Sequence, residues 1–185
     1  MALDCPTISR ILGAPLEAVE SNWPLILASL EAKGMSATPV LIAALATLGT
    51  ETPGFAPIRE LSPRNEDRDA YFVRMYWNNP NTRHSLGNLS PKDAATYYGR
   101  GFIQLTGRDN YALYGGILDL DLLGKPDLAL DPSVASKIFA AFFGLRHVDE
   151  AAMAGNWLRV RVRVNGGTNG WARFTQLVTD LQGAA

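Results

Sequence analysis

The chain has 185 residues, 47% of them hydrophobic and 19% charged, with a formal net charge of -1. That length favours one compact domain with a sizeable core, the composition excludes a disordered or low-complexity chain, and the near-neutral charge argues against nucleic acid as a partner, since polyanion binders carry a basic excess. The single cysteine, Cys5, excludes an internal disulfide, and no run approaches the roughly 20 apolar residues of a membrane span, so no stable membrane association is expected.

The opening MALDCPTISR carries Asp4 and lacks the basic stretch and apolar core of a signal peptide. Synthesis in the cytoplasm is therefore expected, with any target outside the cell reached by another route. PTISRILG predicts a short amphipathic helix stopped at Gly13. PLEAVESNWPLILASLEAKG predicts one or two helices, with a break near Pro24 and a stop at Gly34. In SATPVLIAALATLGTE, Thr38 caps and Pro39 suits the first helical position, and TPG ends the helix, because a residue before proline is pushed out of helical geometry. Residues 61–96 are polar and hold three prolines. They predict a long ordered loop, with a helical turn or two only at RDAYFVRMYW. Loops of that length are usually functional or disordered, and Tyr71, Phe72, Tyr76 and Trp77 argue for order.

Beyond the loop, YYGRGFIQLTGRDNYALYG predicts a short strand at FIQL and a helix from GRDNYALYG. DPSVASKIFAAFFGLRHV predicts a helix capped by Asp131 or Ser133 and opened by Pro132, and DEAAMAGN a further short one. WLRVRVRVNGG reads by period as a strand, with Leu158, Val160, Val162 and Val164 alternating with three arginines. GWARFTQLVTDLQ predicts an amphipathic helix. No internal repeat appears, and no linker is long enough to split the chain.

Two carboxylates stand out in LGTETPGFAPIRE, residues 48–60. On a helix, Leu41, Ala44, Leu48 and Glu51 share a face, so Glu51 emerges at the edge of an apolar stripe. Desolvation and the negative end of the helix dipole both disfavour its charged form and should raise its pKa, as a general acid requires. Glu60 lies past a Pro/Gly turn beside Arg59 and near Arg64, and should stay ionised. Two carboxyls in contrasting environments are the pattern for glycoside hydrolysis. Alone the pair is a weak signal, because a glutamate at a helix end is most often solvated.

Gly99 and Gly101 allow backbone to approach a ligand. Tyr97, Tyr98 and Tyr111 offer flat faces for pyranose rings, or pack in the core with equal weight. Arg100 reads as a structural tie, and NGGTNG as a hairpin turn. Arg159, Arg161 and Arg163 read most simply as a solvated face, or as a contact with an anionic wall polymer. GRGFIQLTG is no phosphate or dinucleotide loop, and DLDLLGKPDLALD is no calcium loop, with Leu130 where a bidentate glutamate belongs. His84 and His147 are isolated in sequence. No metal and no cofactor are expected.

LGTETPGFAPIRE, then YYGRGFIQLTGRDNY, then VNGGTNG, in that order, resemble glycoside hydrolase family 19 over roughly residues 36–177. Within it the likeness is to the branch of phage endolysins and bacterial cell-wall lysins rather than to plant chitinases. The resemblance implies an all-α, lysozyme-like fold, with two lobes, a substrate cleft and at most a minor β element. It implies a single catalytic domain over 1–185, with helices of residues 1–35 packed on a core of 36–177. It places VNGGTNG after a helix, against the strand reading of WLRVRVRV.

As activity, the resemblance implies inverting cleavage of β-1,4 bonds in bacterial peptidoglycan. A chitinase is the alternative, and a non-catalytic glycan-binding module a second one. Glu51 would be the general acid, preceded here by Thr50 where the family commonly has histidine. Glu60 would be the base, with Glu66, Asp67 and Asp69 as fallbacks. Thr106 would help hold the attacking water, Gln104 and Asn110 would face the sugar, Asn165 would contact substrate, and Arg173 would lie near the acid. The expected molecule is a monomer, made in a host cytoplasm and released to the wall by a separate holin-type pore.

Overall fold

The computed structural model describes residues 3–185. Met1 and Ala2, the start of the stretch weighed as a leader, lie outside the described residues. In chain order come α1 (Cys5–Leu12), α2 (Leu16–Glu31), α3 (Thr38–Glu51), β1 (Ile58–Arg59), α4 (Arg68–Tyr76), α5 (Pro80–Ser85), α6 (Pro91–Thr96), β2 (Arg100–Gly101) and α7 (Arg108–Leu118). A 3-10 turn at Pro126–Leu130 precedes α8 (Pro132–Leu145), α9 (Val148–Met153), α10 (Trp157–Asn165) and α11 (Trp171–Ala184). The fold is mainly α, as the resemblance implies, and β1 and β2 form its minor antiparallel sheet, Ile58 opposite Gly101 and Arg59 opposite Arg100.

The chain divides into two compact units, residues 3–56 with 139–185 and residues 57–138. In the first, α3 is the central helix, buried from Ile42 through Gly49, with α1, α9, α10 and α11 packed on it. A helix apolar on all sides is stable only when wrapped in this way. In the second, the core is aromatic. The rings of Phe72 and Tyr98 stack at 4.3 Å, with Phe102 and Tyr111 also buried.

Several expectations about local structure need correction. Pro24 does not break α2. Val19, Trp23, Ile26 and Leu30 form one buried stripe on both sides of it, so packing outweighs the single backbone bond a proline removes. Thr38 is the first residue of α3 rather than its cap, which is Ala37. The long loop at 61–96 contains three helices. Asp67 caps α4, Asn79 caps α5 and Ser90 caps α6, each by accepting backbone N–H groups. Pro80 and Pro91 stand directly after the last two caps, where a proline fits without strain. The strand lies at Arg100–Gly101, just before FIQL, and the chain then turns back so that Leu105 pairs with Arg100.

Asp131 is the residue that caps α8, accepting from the N–H groups of Ser133 and Val134. WLRVRVRV is helical, so the alternation was misleading. Asn156 caps α10 by accepting from the Arg159 N–H, and Gly166 closes it in the left-handed region. Its buried residues are Val160 and Arg161, while Leu158 and Val162 are exposed.

Candidate active site

In the first unit, the apolar residues of α3 carry Glu51 to the last helical position, and Thr52, just before Pro53, ends the helix. The Glu51 side chain keeps 28% of its exposure and one oxygen, Oε1, accepts from Nη1 of Arg161. Arg161 is 2% exposed, and its Nε donates to the Asn169 carbonyl at 2.6 Å. This buried cation is the main correction to the sequence reading. Of the three arginines expected on a solvated face, Arg161 is buried and forms an ion pair with Glu51.

The glycine-rich segment after α10 follows from the same contact. Gly170 has φ of +73°, and a Cβ there would lie 2.9 Å from a Thr50 methyl and 3.1 Å from Arg161 Nη2. The chain needs a residue without a side chain where it passes the ion pair. Asn165, the last residue of α10, is exposed, and its side chain has no partner among the described residues. Arg173 does not bond Glu51. It donates to the Leu12 carbonyl at 2.6 Å.

In the second unit, Glu60 follows β1 and is fastened to Gly99 twice. Its backbone N–H donates to the Gly99 carbonyl at 2.9 Å, and its Oε2 accepts from the Gly99 N–H at 2.9 Å. Its Oε1 accepts from the Tyr76 hydroxyl at 2.6 Å, the short distance expected of a bond to a charged oxygen. Burial and the Glu60 carboxylate both push the Tyr76 phenol far above its usual value, so Tyr76 stays protonated and donates. Each carboxylate oxygen has two acceptor directions, so each keeps one for water. The fallback acids are engaged elsewhere. Glu66 pairs with Arg74 at 2.8 Å, Asp67 caps α4, and Asp69 pairs with Arg68 at 2.9 Å.

The YYGRGFIQLTGRDNY segment forms a connected set of bonds. Thr106 is half-buried, and its hydroxyl donates to the Gln104 carbonyl at 2.8 Å, which leaves its lone pairs free to accept. Asn110 donates to the Thr106 carbonyl at 2.7 Å. Gln104 has φ of +52°, and its amide nitrogen donates to the carbonyls of Ile58 and Gly101 at 3.0 and 3.1 Å. Gln104 and Asn110, the residues expected to face a sugar, thus spend their amide nitrogens on backbone carbonyls, and their side-chain oxygens are the groups left to meet one.

The tyrosines divide. Tyr98 is 2% exposed and Tyr111 fully buried, so neither is a platform for a sugar ring. The Tyr111 hydroxyl donates to the Tyr98 carbonyl and accepts from Arg100, both at 2.9 Å, and burial pushes it up to about 12. Tyr97 is half-buried, its hydroxyl donating to the Leu123 carbonyl at 3.1 Å. Arg100, 4% exposed, ties Asp127, Thr96, Tyr98 and Tyr111 together. His147 contacts Glu150, and among the described residues no group of three or more His, Cys, Asp or Glu side chains gathers as a metal site would require.

Comparison with known proteins gives a consistent result. The model of the family described as Chitinase class I, glycoside hydrolase family 19, matches residues 49–157, which is more than half of the chain. Chitinase 8 of Oryza sativa subsp. japonica is 53% identical over 47 residues, covering 25% of this chain and 18% of that protein. The chain therefore spans under a fifth of that relative's length. Among solved structures, chitinase C from Streptomyces griseus HUT6037 superposes with a TM-score of 0.67 at 20% identity, over 97% of this chain and 76% of that one. A bacterial family 19 chitinase superposes with a TM-score of 0.68 at 18% identity, over 98% and 95%. At such identities the likeness is one of fold.

Proposed function

Because the chain belongs to glycoside hydrolase family 19, the family described as Chitinase class I, we propose that it hydrolyses β-1,4 bonds in polymers of N-acetylglucosamine by an inverting acid–base mechanism. The relatives and solved neighbours are chitinases by name. They support chitin ahead of the peptidoglycan reading to which the endolysin likeness pointed. Peptidoglycan is kept as a second substrate because of one observation, a basic pocket described below.

The observation that carries the proposal is that each carboxyl is held in place while Glu51 keeps Oε2 without a partner among the described residues, open to a leaving oxygen. Glu51 meets a buried guanidinium on Oε1, whereas Glu60 is fixed by two neutral donors. Arg161 can only donate, so in its acid form Glu51 carries the proton on Oε2, and from there it passes to the leaving glycosidic oxygen. Water attacks the anomeric carbon from the opposite face. Glu60 takes one proton of that water, and Thr106, whose own hydroxyl hydrogen is committed to Gln104, accepts a hydrogen bond from the other, which stays on the oxygen as the new hydroxyl of the product. A β-linked chain then yields an α-configured product.

The base makes a specific prediction at Gly99. A Cβ at this position would lie 2.9 Å from Glu60 Oε2 and 2.8 Å from Gln104 Oε1. Both are ends of flexible side chains, so Gly99→Ala folds and displaces the carboxylate. A displacement near 1 Å at a reacting group costs about 100-fold in rate. Steady-state kinetics should show a fall in kcat of that order with little change in thermal midpoint, and unchanged kcat would contradict the role of Glu60.

The function itself is tested with chitin oligosaccharides and with purified bacterial walls, reading new reducing ends and product masses. Cleavage of the oligosaccharides is the expected result. Binding to either polymer with no bond broken would replace the hydrolase with a glycan-binding module.

A further inference from the structure

The 57–138 unit also contains a cavity of about 500 Å³ with strongly basic walls. Arg59, Arg68, Lys92, Arg100 and Lys125 line it against two carboxylates, Asp69 and Asp127. Three positive charges are left in excess, in a chain whose net charge is -1. Both acids are already engaged by their neighbours. Asp127 accepts from Arg100 on one oxygen at 2.8 Å and from Arg59 on the other at 2.9 Å. Asp69 pairs with Arg68 at 2.9 Å. Lys92 and Lys125 are exposed and have no ion-pair partner among the described residues.

The arginines gather around Tyr98, with guanidinium carbons 3.9 Å (Arg100), 5.7 Å (Arg68) and 6.0 Å (Arg59) from its ring centroid. Three like charges around one ring repel each other, and the ring face and Asp127 offset that repulsion. Burial works to raise the Asp127 carboxyl, yet Arg100 and Arg59 together hold it below the usual carboxylate range. A concave surface of one sign focuses its field on whatever enters. The pocket is distinct from the Glu60 site. Side chains alternate along extended backbone, so Arg59 reaches Tyr98 and Asp127 whereas Glu60 reaches Tyr76 and Gly99.

We propose that this pocket binds carboxylate groups carried on an acidic glycan, adding a contact that N-acetylglucosamine polymers bearing acidic groups make and plain chitin does not. The proposal rests on the hydrolase reading above and names the substrate class within it. Asp127 shows the geometry: a planar carboxylate already bridges two guanidinium groups here, and a ligand carboxylate would meet the lysines and the remaining guanidinium N–H groups in the same way. Chitin offers the pocket no charge, and a glycan bearing acidic substituents or peptide carboxylates does.

The test uses two substrates with one backbone, neutral chitin oligosaccharide and carboxymethyl chitin, and compares the native protein with the double variant K92E/K125E. Both lysines are exposed and unpaired, so the reversal leaves the fold intact. The expected result is a rise of about tenfold in KM for carboxymethyl chitin, the scale of two exposed charge contacts reversed in sign, with KM for the neutral oligosaccharide unchanged. Added salt should weaken only the carboxymethyl reaction, and only in the native protein. Equal changes on both substrates, or none on either, would overturn the proposal. Calorimetry on Glu51→Gln with carboxymethyl chitin reads binding without cleavage, so a failed hydrolase reading would not hide the pocket. Loss of that binding in Glu51→Gln/K92E/K125E supports the proposal. Binding of inorganic phosphate without binding of the carboxylated polymer would refute it.

Discussion

Glu51→Gln yields a folded protein whose rate on chitin oligosaccharide falls about 1,000-fold or more, within the range a general acid contributes. The substitution is close to isosteric. The Gln carbonyl takes the place of Oε1 and still accepts from Arg161, and the amide stands where the acid proton was, with nothing to give to a leaving oxygen. Arg161 keeps its bonds to Asn169 and to the Gln carbonyl, but its buried charge loses its counter-ion, so the protein folds with a thermal midpoint several degrees lower. Substrate affinity is retained because the lost interaction exists only along the reaction coordinate. A variant that keeps more than a tenth of the native kcat would remove Glu51 from the acid role.

Arg161→Met is expected to be the most damaging single change to stability. It leaves the Glu51 carboxylate and the Asn169 carbonyl facing an apolar side chain. Removing one partner of a buried pair costs more than the pair is worth, because the other charge is left uncompensated. Glu51 is 28% exposed and recovers some hydration, so the cost is about 3 kcal/mol, at the low end of that range. For a chain of this size that corresponds to a drop in thermal midpoint of roughly 6–12 °C. The double variant Glu51→Gln/Arg161→Met separates the ion pair from simple packing loss. If the charges are coupled, the double variant is more stable than the sum of the single effects by at least about 1 kcal/mol. Additive effects would mean that Arg161 acts only by filling space.

The parts of the molecule legible in the sequence were those governed by local rules. α3 and α8 could be placed because proline opens each of them and an apolar run fills it. Glu51 and Glu60 could be singled out because a helix end and a Pro/Gly turn put them in unlike surroundings. α5 and α6 were equally local, each an Asn-Pro or Ser-Pro start. Their polar composition and six-residue length leave no apolar stripe by which a helix is recognised, so their sequence resembles loop.

What could not be read depends on contacts distant in sequence. Arg161 and Glu51 are 110 positions apart, and the alternation of Arg159, Arg161 and Arg163 with valines suits a strand. On the helix that forms instead, these three residues no longer share one face, so only one of them turns inward. The tyrosines show the same limit. Tyr98 and Tyr111 carry the same ring as Tyr97, and only the stacking on Phe72 and the bonds of Arg100 decide that they are core. Tyr76 sits on α4 and reaches Glu60 from 16 positions away, a partner that no motif around Glu60 indicates.

The central claim is that two carboxyls of unlike environment drive a single displacement by water. Proton NMR of the first product formed from a β-linked N-acetylglucosamine oligosaccharide tests it most directly, because the anomeric proton is read before mutarotation scrambles it. The account predicts that the α-anomer appears first. Initial release of the β-anomer would mean that configuration is retained, and Glu60 could not then be activating water for a direct attack.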